Sequence, residues 1–337
     1  MPTPEFWTMP GWRALETALA EAFPGRPLAI ARAPESADST TTFATTPLAA
    51  VFIHQLADAW HYLSFGLSEL NSKRSPDPQR SGWGFELSLR LRRGPEAQPP
   101  TWPVDLLQRL AALVWKRRAG FAPRHHLPLG GPLVAGSQLT AIVFALDPSL
   151  PRLDTAHGEV LPIQIVGLTG DEESMLPEWS SEGLLAALGE QDPTLLTDPN
   201  RGSLLADPVL GPLLRERAAS EGSQATGIVP ETLRWRSTTA GFVIELGPDD
   251  LARANLPRFL RGRTRLGRPF TLRGQVQSVE LRGGAVAGAH ADGERLLVDL
   301  DPAARLALEH ALPGLPADTP WSTPALPGVT LVLVPDT

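Results

Sequence analysis

The chain has 337 residues, no cysteine, and 37 acidic against 30 basic side chains, for a net charge of −7. The absence of cysteine excludes disulfides, thiolate metal sites and a cysteine nucleophile. The acidic balance, without any run of lysine or arginine, argues against a nucleic-acid-binding protein, and at roughly 150 residues per domain the length predicts two domains.

The amino terminus and the hydropathy indicate a cytoplasmic protein without a membrane segment. Residues 1–7 lack the basic and apolar regions of a signal peptide. The longest mainly apolar run, Leu139–Leu146, falls far short of the roughly 20 residues that a spanning helix needs. Only Lys73 and Lys116 among the basic residues are lysines, which together with 35 prolines indicates a GC-rich bacterial gene.

Hydrophobic periodicity predicts helices interspersed with strands in the first two thirds of the chain. Gly11–Phe23 predicts an amphipathic helix because apolar residues recur at steps of three and four. Trp83–Leu91 alternates apolar and polar residues, so it predicts a strand with one buried face. Further predicted elements are the strands Leu48–Ile53, Trp60–Phe65, Leu139–Leu146, Val160–Val166 and Thr226–Trp235, and the helices Val104–Arg118, Ser180–Leu188 and Val209–Ala219.

The last third of the chain continues the same mixture. Phe242–Leu246 opens this part, and its predicted elements are the helix Pro302–Leu312 and the strands Pro269–Leu281, Arg295–Leu300 and Val329–Val334. Adjacent strands with helices between them indicate an α+β or mixed α/β fold, with a mixed sheet and flanking helices in each domain.

Two motifs near the start of the chain are unusually rich in aromatic residues and glycine. Trp60–Leu70 has the sequence WHYLSFGLSEL, and Ser81–Leu91 has the sequence SGWGFELSLRL. Together they resemble the Suppressor of fused family, where hWHYxSFGLSEL precedes SGxGFELTxRL. Later segments match further family motifs in the same order: Pro99–Ala111, Ala156–Thr169, Leu196–Gly202, Leu260–Arg263, Gly267–Thr271 and Val332–Asp336.

The resemblance implies two domains, expected at residues 1–236 and 237–337, that form a clamp. Members of the family bind other proteins and have no attributed reaction, cofactor or metal. The animal members hold a short segment of a Hedgehog-pathway transcription factor as an added β-strand between the domains. Bacterial relatives are linked to immunity against secreted toxins, or to protein interaction in general. The expected partner-binding cleft of this chain comprises Leu113, His125, His126, Ile228, Val229 and Asn255.

The chain departs from the animal pattern at this expected cleft. It has Arg124-His125-His126 in place of Gly-Asp-His, and Val229-Pro230 in place of small residues. Asn255 stands where an apolar groove residue is expected. Because Pro230 removes a main-chain donor and Asn255 replaces an apolar contact, we expect no useful affinity for the Hedgehog-pathway peptide.

Several residues could instead carry chemistry. His125 and His126 are the best metal candidates, but neighbours on a strand point to opposite faces, which favours a surface or structural role. His54 and His61 are expected to be core or edge histidines. Glu69 with Glu86, and Asp171–Glu173, could form a carboxylate pair or a cation site, whereas salt bridges and a helix start explain them more simply. The sequence contains no HExxH, GxxxxGK[ST] or GxSxG motif.

The choice between a structural and a functional role also arises for the tryptophans. Trp60, Trp83, Trp102 and Trp115 are expected mostly in the core, with a minority facing a partner.

The leading hypothesis is therefore a non-enzymatic protein that captures a segment of another protein by β-strand addition. A toxin-neutralising immunity protein is its sharpest form, because the acidic charge suits a basic partner. Two alternatives stay open: a hydrolase that uses cleft carboxylates or histidines, and a structural subunit of a larger assembly. The sequence leaves the oligomeric state undetermined.

Overall fold

The computed structural model describes residues 9–25, 27–32, 47–247 and 251–334. Residues 1–7, on which the prediction of no signal peptide rests, lie outside these ranges, as do the last two residues of the final family motif. Within the described ranges, no helix is both long and apolar enough to cross a bilayer. Mixed sheets with flanking helices confirm the predicted fold class.

The described residues form two compact units. The first contains the residues up to Glu173 together with Leu185–Ser203, and the second contains Ser174–Leu184 and the residues from Leu204 onward. This division differs from the predicted domains 1–236 and 237–337. The reason is strand pairing: residues 227–228 and 233–238 form strands that join the sheets of the second unit.

The first unit contains an eight-stranded mixed sheet in the order β1-β2-β3-β4-β8-β6-β5, with β7 paired to β8. Most neighbours are antiparallel, but β4 and β8 run parallel. The strands are β1 (Ala29–Arg32), β2 (Ala50–Gln55), β3 (Ala59–Phe65), β4 (Arg80–Arg92), β5 (His126–Pro128), β6 (Leu139–Leu146), β7 (Leu153–Thr155) and β8 (Gly158–Thr169). The helices are α1 (Pro10–Ala22) and α2 (Trp102–Arg117), while α3 (Gly170–Met175) and α4 (Ser181–Gln191) each span the division between the units.

Helices cover both faces of this sheet. The stripe of α2 packs with the tryptophan and leucine residues of one face, and α1 packs with phenylalanine residues of the other. The prediction that β4 is half-buried was therefore wrong, because its polar residues Glu86, Ser88 and Arg90 are also buried, beneath the face that α1 covers. Alternation in one strand shows its two faces, but distant residues decide that both are covered. The Ser88 hydroxyl donates to Asp147 and the Arg90 guanidinium donates to Ser149, both at 2.5 Å.

The second unit has two sheets around one hydrophobic core. One sheet has the order β10-β11-β17-β16, and the other has the order β14-β15-β13-β12-β9. The strands are β9 (Gly227–Ile228), β10 (Leu233–Thr238), β11 (Gly241–Leu246), β12 (Phe270–Arg273), β13 (Ser278–Gly283), β14 (Gly288–Asp292), β15 (Arg295–Leu300), β16 (Trp321–Thr323) and β17 (Leu326–Leu333). The helices are α5 (Leu210–Glu221), α6 (Leu256–Arg263) and α7 (Pro302–Ala311).

Two of the predicted strands are each divided in two. Thr226–Trp235 forms β9 and β10 with Pro230 between them, because proline cannot donate to a ladder. Pro269–Leu281 forms β12 and β13, joined by a turn in which the Gly274 N–H donates to the Gln277 carbonyl at 2.8 Å. The sequence did not predict α6, whose eight residues include three arginines, one proline and one glycine.

A buried ion pair joins the start of α3 to the family motif Leu196–Gly202 within the first unit. Glu172 on α3 is fully buried, and Arg201 donates to both of its oxygens at 2.7 and 2.6 Å. The same guanidinium donates to the Gly167 carbonyl at 2.7 Å. The acidic helix start thus forms a structural bond with the turn Leu196–Gly202, rather than a cation site.

We expect Arg201→Ala to lower the free energy of unfolding by about 3 kcal/mol, because it leaves a buried carboxylate without its counter-charge. Chemical denaturation of the full chain measures the loss. The matched control is Arg152→Ala, whose exposed pair with Glu159 should be worth less than about 1 kcal/mol. Equal effects of the two substitutions would contradict a buried, structural pair.

Two histidines lie opposite each other on β2 and β3. His54 is 5% exposed, pairs across the strands with His61, and contacts the Phe23 ring. Burial, assisted by His61, lowers the pKa of His54 to about 4. His61 is fully buried and lies 3.1 Å from the Asp147 carboxylate. Both residues are core histidines, as predicted.

The lowered pKa of His54 predicts a loss of stability in acid. Between pH 6.5 and about 4 the unfolded histidine is protonated while the folded one stays neutral. The free energy of unfolding therefore decreases, by up to about 3 kcal/mol, as the pH is lowered through this window. Denaturation curves of the wild type and His54→Leu at several pH values measure this, and the difference between the two proteins should change over that window. A difference independent of pH would contradict the assignment.

Candidate functional site

The buried carboxylate of Glu86 organises the first of the two aromatic motifs. Glu86 lies inside β4 and is fully buried. It accepts hydrogen bonds from the Gly66 and Ser68 N–H groups, both at 2.9 Å, and from the hydroxyls of Ser64 and Ser68. Burial raises the pKa of Glu86, although these hydrogen bonds oppose the shift. The carboxylate therefore holds the chain that leaves β3 against β4.

Glu69 has a similar role further along the chain. Its carboxylate accepts from the N–H groups of Arg74, Ser75 and Gly82 and pairs with the Lys73 ammonium at 3.2 Å. Partial burial raises the pKa of Glu69, but the hydrogen bonds from Ser75, Arg74, Lys73 and Gly82 outweigh it and lower the pKa to about 2. Glu69 and Glu86 together fix residues 66–82, which we call the motif loop.

Glycine is required at two points of the motif loop. Gly66 and Gly82 have φ angles of +142° and +58°, which disfavour any side chain. A Cβ on Gly66 would lie 2.9 Å from the Ala49 nitrogen, and one on Gly82 would lie 2.6 Å from the Leu67 carbonyl oxygen. Close packing of the backbone thus explains one glycine in each motif.

The motif loop borders an apolar cavity of about 630 Å³, which we call the motif cavity. Its aromatic wall is formed by Trp83 and Trp115, whose rings meet edge to face at 5.4 Å. Trp115 remains 47% exposed. The other lining residues are Pro47, Leu48, Ala49, Gly66, Leu67, Ser68, Glu69, Leu70, Asn71, Ser72, Arg74, Ser75 and Gly82.

Sequence reasoning did not identify this cavity. It grouped Trp115 with packing residues, although one signal was available. The buried stripe of α2 contains Leu107, Leu110, Ala111 and Val114, and Trp115 lies off that stripe, directly before two cations. A large aromatic residue on the polar side of a helix often contacts something else.

The predicted cleft residues divide between the two units. Leu113 is half-buried on α2, whereas His125 and His126 are exposed. The His125 Nδ1 atom accepts from the Ala122 N–H at 3.3 Å. His126 lies on the edge strand β5, and its Nε2 atom is 3.7 Å from Glu173.

The other three predicted residues lie in the second unit. Ile228 is half-buried on the edge strand β9 and is in register with Leu272. Val229, which follows it, is 70% exposed. Asn255 directly precedes α6 and accepts from the Arg258 guanidinium at 3.3 Å, so its polar side chain has a partner.

The arrangement favours structural roles for the candidate catalytic groups. Glu86 is closed off from solvent and its oxygens accept four hydrogen bonds, so the structural role predicted for it is confirmed. Over the ranges that the structure covers, no group of three or more His, Asp or Glu side chains is placed to hold a metal ion.

We expect Glu86→Ala to cost at least about 3 kcal/mol of unfolding free energy, because it leaves two buried N–H groups without acceptors. Glu86→Gln should cost about 1 kcal/mol or less, since one amide oxygen can still accept from Gly66 and Ser68 while the amide nitrogen donates to the Ser64 hydroxyl. Urea denaturation of both variants tests this. Similar losses of unfolding free energy in the two variants would show that the hydrogen-bond acceptors of Glu86 do not stabilise the motif loop.

Residues 44–202 match the sequence model of the family described as Suppressor of fused protein. The Suppressor of fused homologs of Homo sapiens and Mus musculus are each 32% identical to this chain over 188 residues, which is 51% of this chain and 38% of the homologs. The aligned region of the chain therefore spans less than half the length of these curated relatives.

Solved structures show a similar fold over a longer stretch. The crystal structure of Drosophila Suppressor of Fused matches with a TM-score of 0.72 and 21% identity, covering 98% of both chains. A crystal structure of the Sufu–Fu complex matches with a TM-score of 0.55 and 26% identity, covering 64% of this chain and 97% of that one. The match to Drosophila Suppressor of Fused extends over both compact units and shows that the two proteins share a fold.

Proposed function

Because this chain belongs to the Suppressor of fused family, we propose that it is a protein-binding module that takes up an extended segment of a partner by β-strand addition, without catalysing a reaction. The observation that carries the proposal is that predicted contact residues of both units lie at sheet edges. His126 is on β5, an edge of the eight-stranded sheet, and Ile228 is on β9, an edge of the five-stranded sheet. The Sufu–Fu complex among the similar structures supports the general role.

The edge strand β9 offers free main-chain groups. The Thr271 N–H donates to the Thr226 carbonyl at 3.0 Å, and Thr271 is in register with Gly227. In a parallel ladder this pattern directs the N–H and C=O groups of Gly227 and Val229 away from β12. Pro230 ends the edge, so a partner strand would form a short ladder there.

The edge strand β5 offers fewer groups. The Leu129 N–H donates to the Thr140 carbonyl at 2.9 Å, and His126 is in register with Val143. The antiparallel alternation leaves the N–H and C=O groups of His126 directed outward, whereas Pro128 has only a carbonyl. This edge can pair with no more than a short stretch of a partner.

The energetics require side-chain anchors in addition to these edges. A main-chain hydrogen bond contributes about 0.5–1.5 kcal/mol net, so a short ladder gives only a few kcal/mol. Micromolar binding needs about 8 kcal/mol. Apolar side chains that contribute about 1.5–3 kcal/mol each on burial must supply the difference. Val229, exposed directly beside the β9 edge, is one such anchor.

A more specific role, neutralisation of a toxin in the cytoplasm, fits the negative net charge of the chain. A net charge of −7 attracts a basic partner and speeds its association. Co-expression of this chain with the product of a neighbouring toxin gene tests the role. Protection of the cells by the wild type, and loss of protection by an edge variant, would support it. Growth arrest despite expression of the folded wild type would contradict it.

We expect Val229→Pro to weaken partner binding at least tenfold, because it removes an outward N–H donor from the β9 edge. The ligand is an extended peptide selected from a random library on the full chain, and fluorescence polarisation measures its affinity. Val229→Thr is the matched control, since it keeps the N–H group and a similar shape. In the wild-type complex, hydrogen exchange at Gly227 and Val229 should slow.

Equal affinity of Val229→Pro and the wild type, with no protection at Gly227 or Val229, would contradict strand addition at β9. Failure of the folded chain to bind any selected peptide or the neighbouring gene product would contradict the protein-binding role itself.

A further inference from the structure

We propose that the motif cavity binds a small amphipathic anion, with the apolar body inside the cavity and its acidic group paired with Arg74. The described lining residues all belong to the first unit. The site therefore needs no partner protein, and the inference goes beyond the protein-binding role.

The size and lining of the motif cavity suit a small molecule. Its volume of about 630 Å³ lies within the range of about 300–1,000 Å³ typical of ligand sites, which are mostly apolar with a few polar groups. Leu48 and Leu67 are almost fully buried, so their side chains form a fixed apolar floor. One amino-acid side chain from a partner would leave much of this volume unfilled.

The motif cavity is also preformed. Glu86 and Glu69 hold the motif loop through main-chain N–H groups at both ends, namely those of Gly66, Ser68 and Gly82. Binding thus costs little ordering of the protein. The aromatic wall has its own unused surface, because Trp115 meets Trp83 on one edge and is still 47% exposed.

The charge of the lining favours an anion. Lys73 pairs with Glu69, and Glu69 also accepts from three N–H groups. Arg74 lines the motif cavity and is exposed, and among the residues that the structure describes no carboxylate lies within ion-pair distance of its guanidinium. Lys73, Arg74 and Glu69 leave one net positive charge, and Ser72 and Asn71 add exposed hydrogen-bonding groups. A carboxylate or sulfonate on an apolar body matches this pattern.

The test titrates the full chain with dodecanoate below its micelle concentration and follows binding by calorimetry. Dodecanol, which has the same apolar body without the charge, is the companion probe. We expect one dodecanoate to bind per chain, with dodecanol at least tenfold weaker. Arg74→Gln should weaken dodecanoate about tenfold and leave dodecanol unchanged, whereas Arg74→Lys should keep most of the affinity.

Two further variants separate the motif cavity from the rest of the surface. Ala49→Trp places a large ring in the cavity from an exposed position and should weaken both probes at least tenfold. Arg109→Gln makes the same charge change on the exposed side of α2, outside the lining, and should have no effect. Circular dichroism confirms that each variant is folded.

Three results would overturn the proposal. One is a wild type that binds no dodecanoate, and another is equal binding by the wild type and Ala49→Trp. The third combines two observations: neither dodecanoate nor dodecanol binds, and Ala49→Trp abolishes binding of the library-selected peptide. The cavity would then belong to the partner-binding surface. Loss of peptide binding through Val229→Pro with dodecanoate binding intact would leave this proposal standing, because the two sites are then independent.

Discussion

The first unit depends on a carboxyl group that is hidden from water. The Glu86 carboxylate is fully buried inside a sheet, where it would be strongly unfavourable without hydrogen bonds. Its donors are two serine hydroxyls and two main-chain N–H groups, contributed by Ser64, Gly66 and Ser68. The strand β4 and the turn after β3 therefore cannot form their native structures independently. This requirement explains why SFGLS and GFELS occur together in the sequence.

A second buried carboxylate lies directly after β8. Glu172 is buried on α3, and Arg201 from a distant turn supplies its counter-charge and also bonds the Gly167 carbonyl. In both places a polar group that must be satisfied fixes a loop to a strand. Replacing one partner leaves a buried group unpaired, whereas apolar packing tolerates small changes more easily. Much of the family signature in this unit is thus a set of mutually dependent polar contacts.

The sequence predicted elements well where the pattern was local. The helix Gly11–Phe23 and the strand Arg295–Leu300 lie within one residue of α1 and β15. Predictions failed where a distant element decides the outcome. The burial of Ser88 and Arg90 involves Asp147 and Ser149, which lie 59 residues further along the chain.

The candidate site shows the same limit. The structural role of Glu86 was predictable from its place in a strand, but its donors were not, because they lie 18 to 22 residues away. The motif cavity was also missed, since it forms where the motif loop meets Trp115 on α2. Of the predicted cleft residues, His126 and Ile228 lie on edge strands, which local alternation cannot distinguish from strands in the centre of a sheet.

Native-state hydrogen exchange at the Gly66 and Ser68 amides tests the central claim most directly. If Glu86 fixes the motif loop, both amides should exchange as slowly as those in the middle of β3 and β4, because they open only when the unit unfolds. Fast exchange at Gly66 and Ser68, with the neighbouring strands still protected, would show that the buried carboxylate does not hold the loop and that the motif cavity is not preformed.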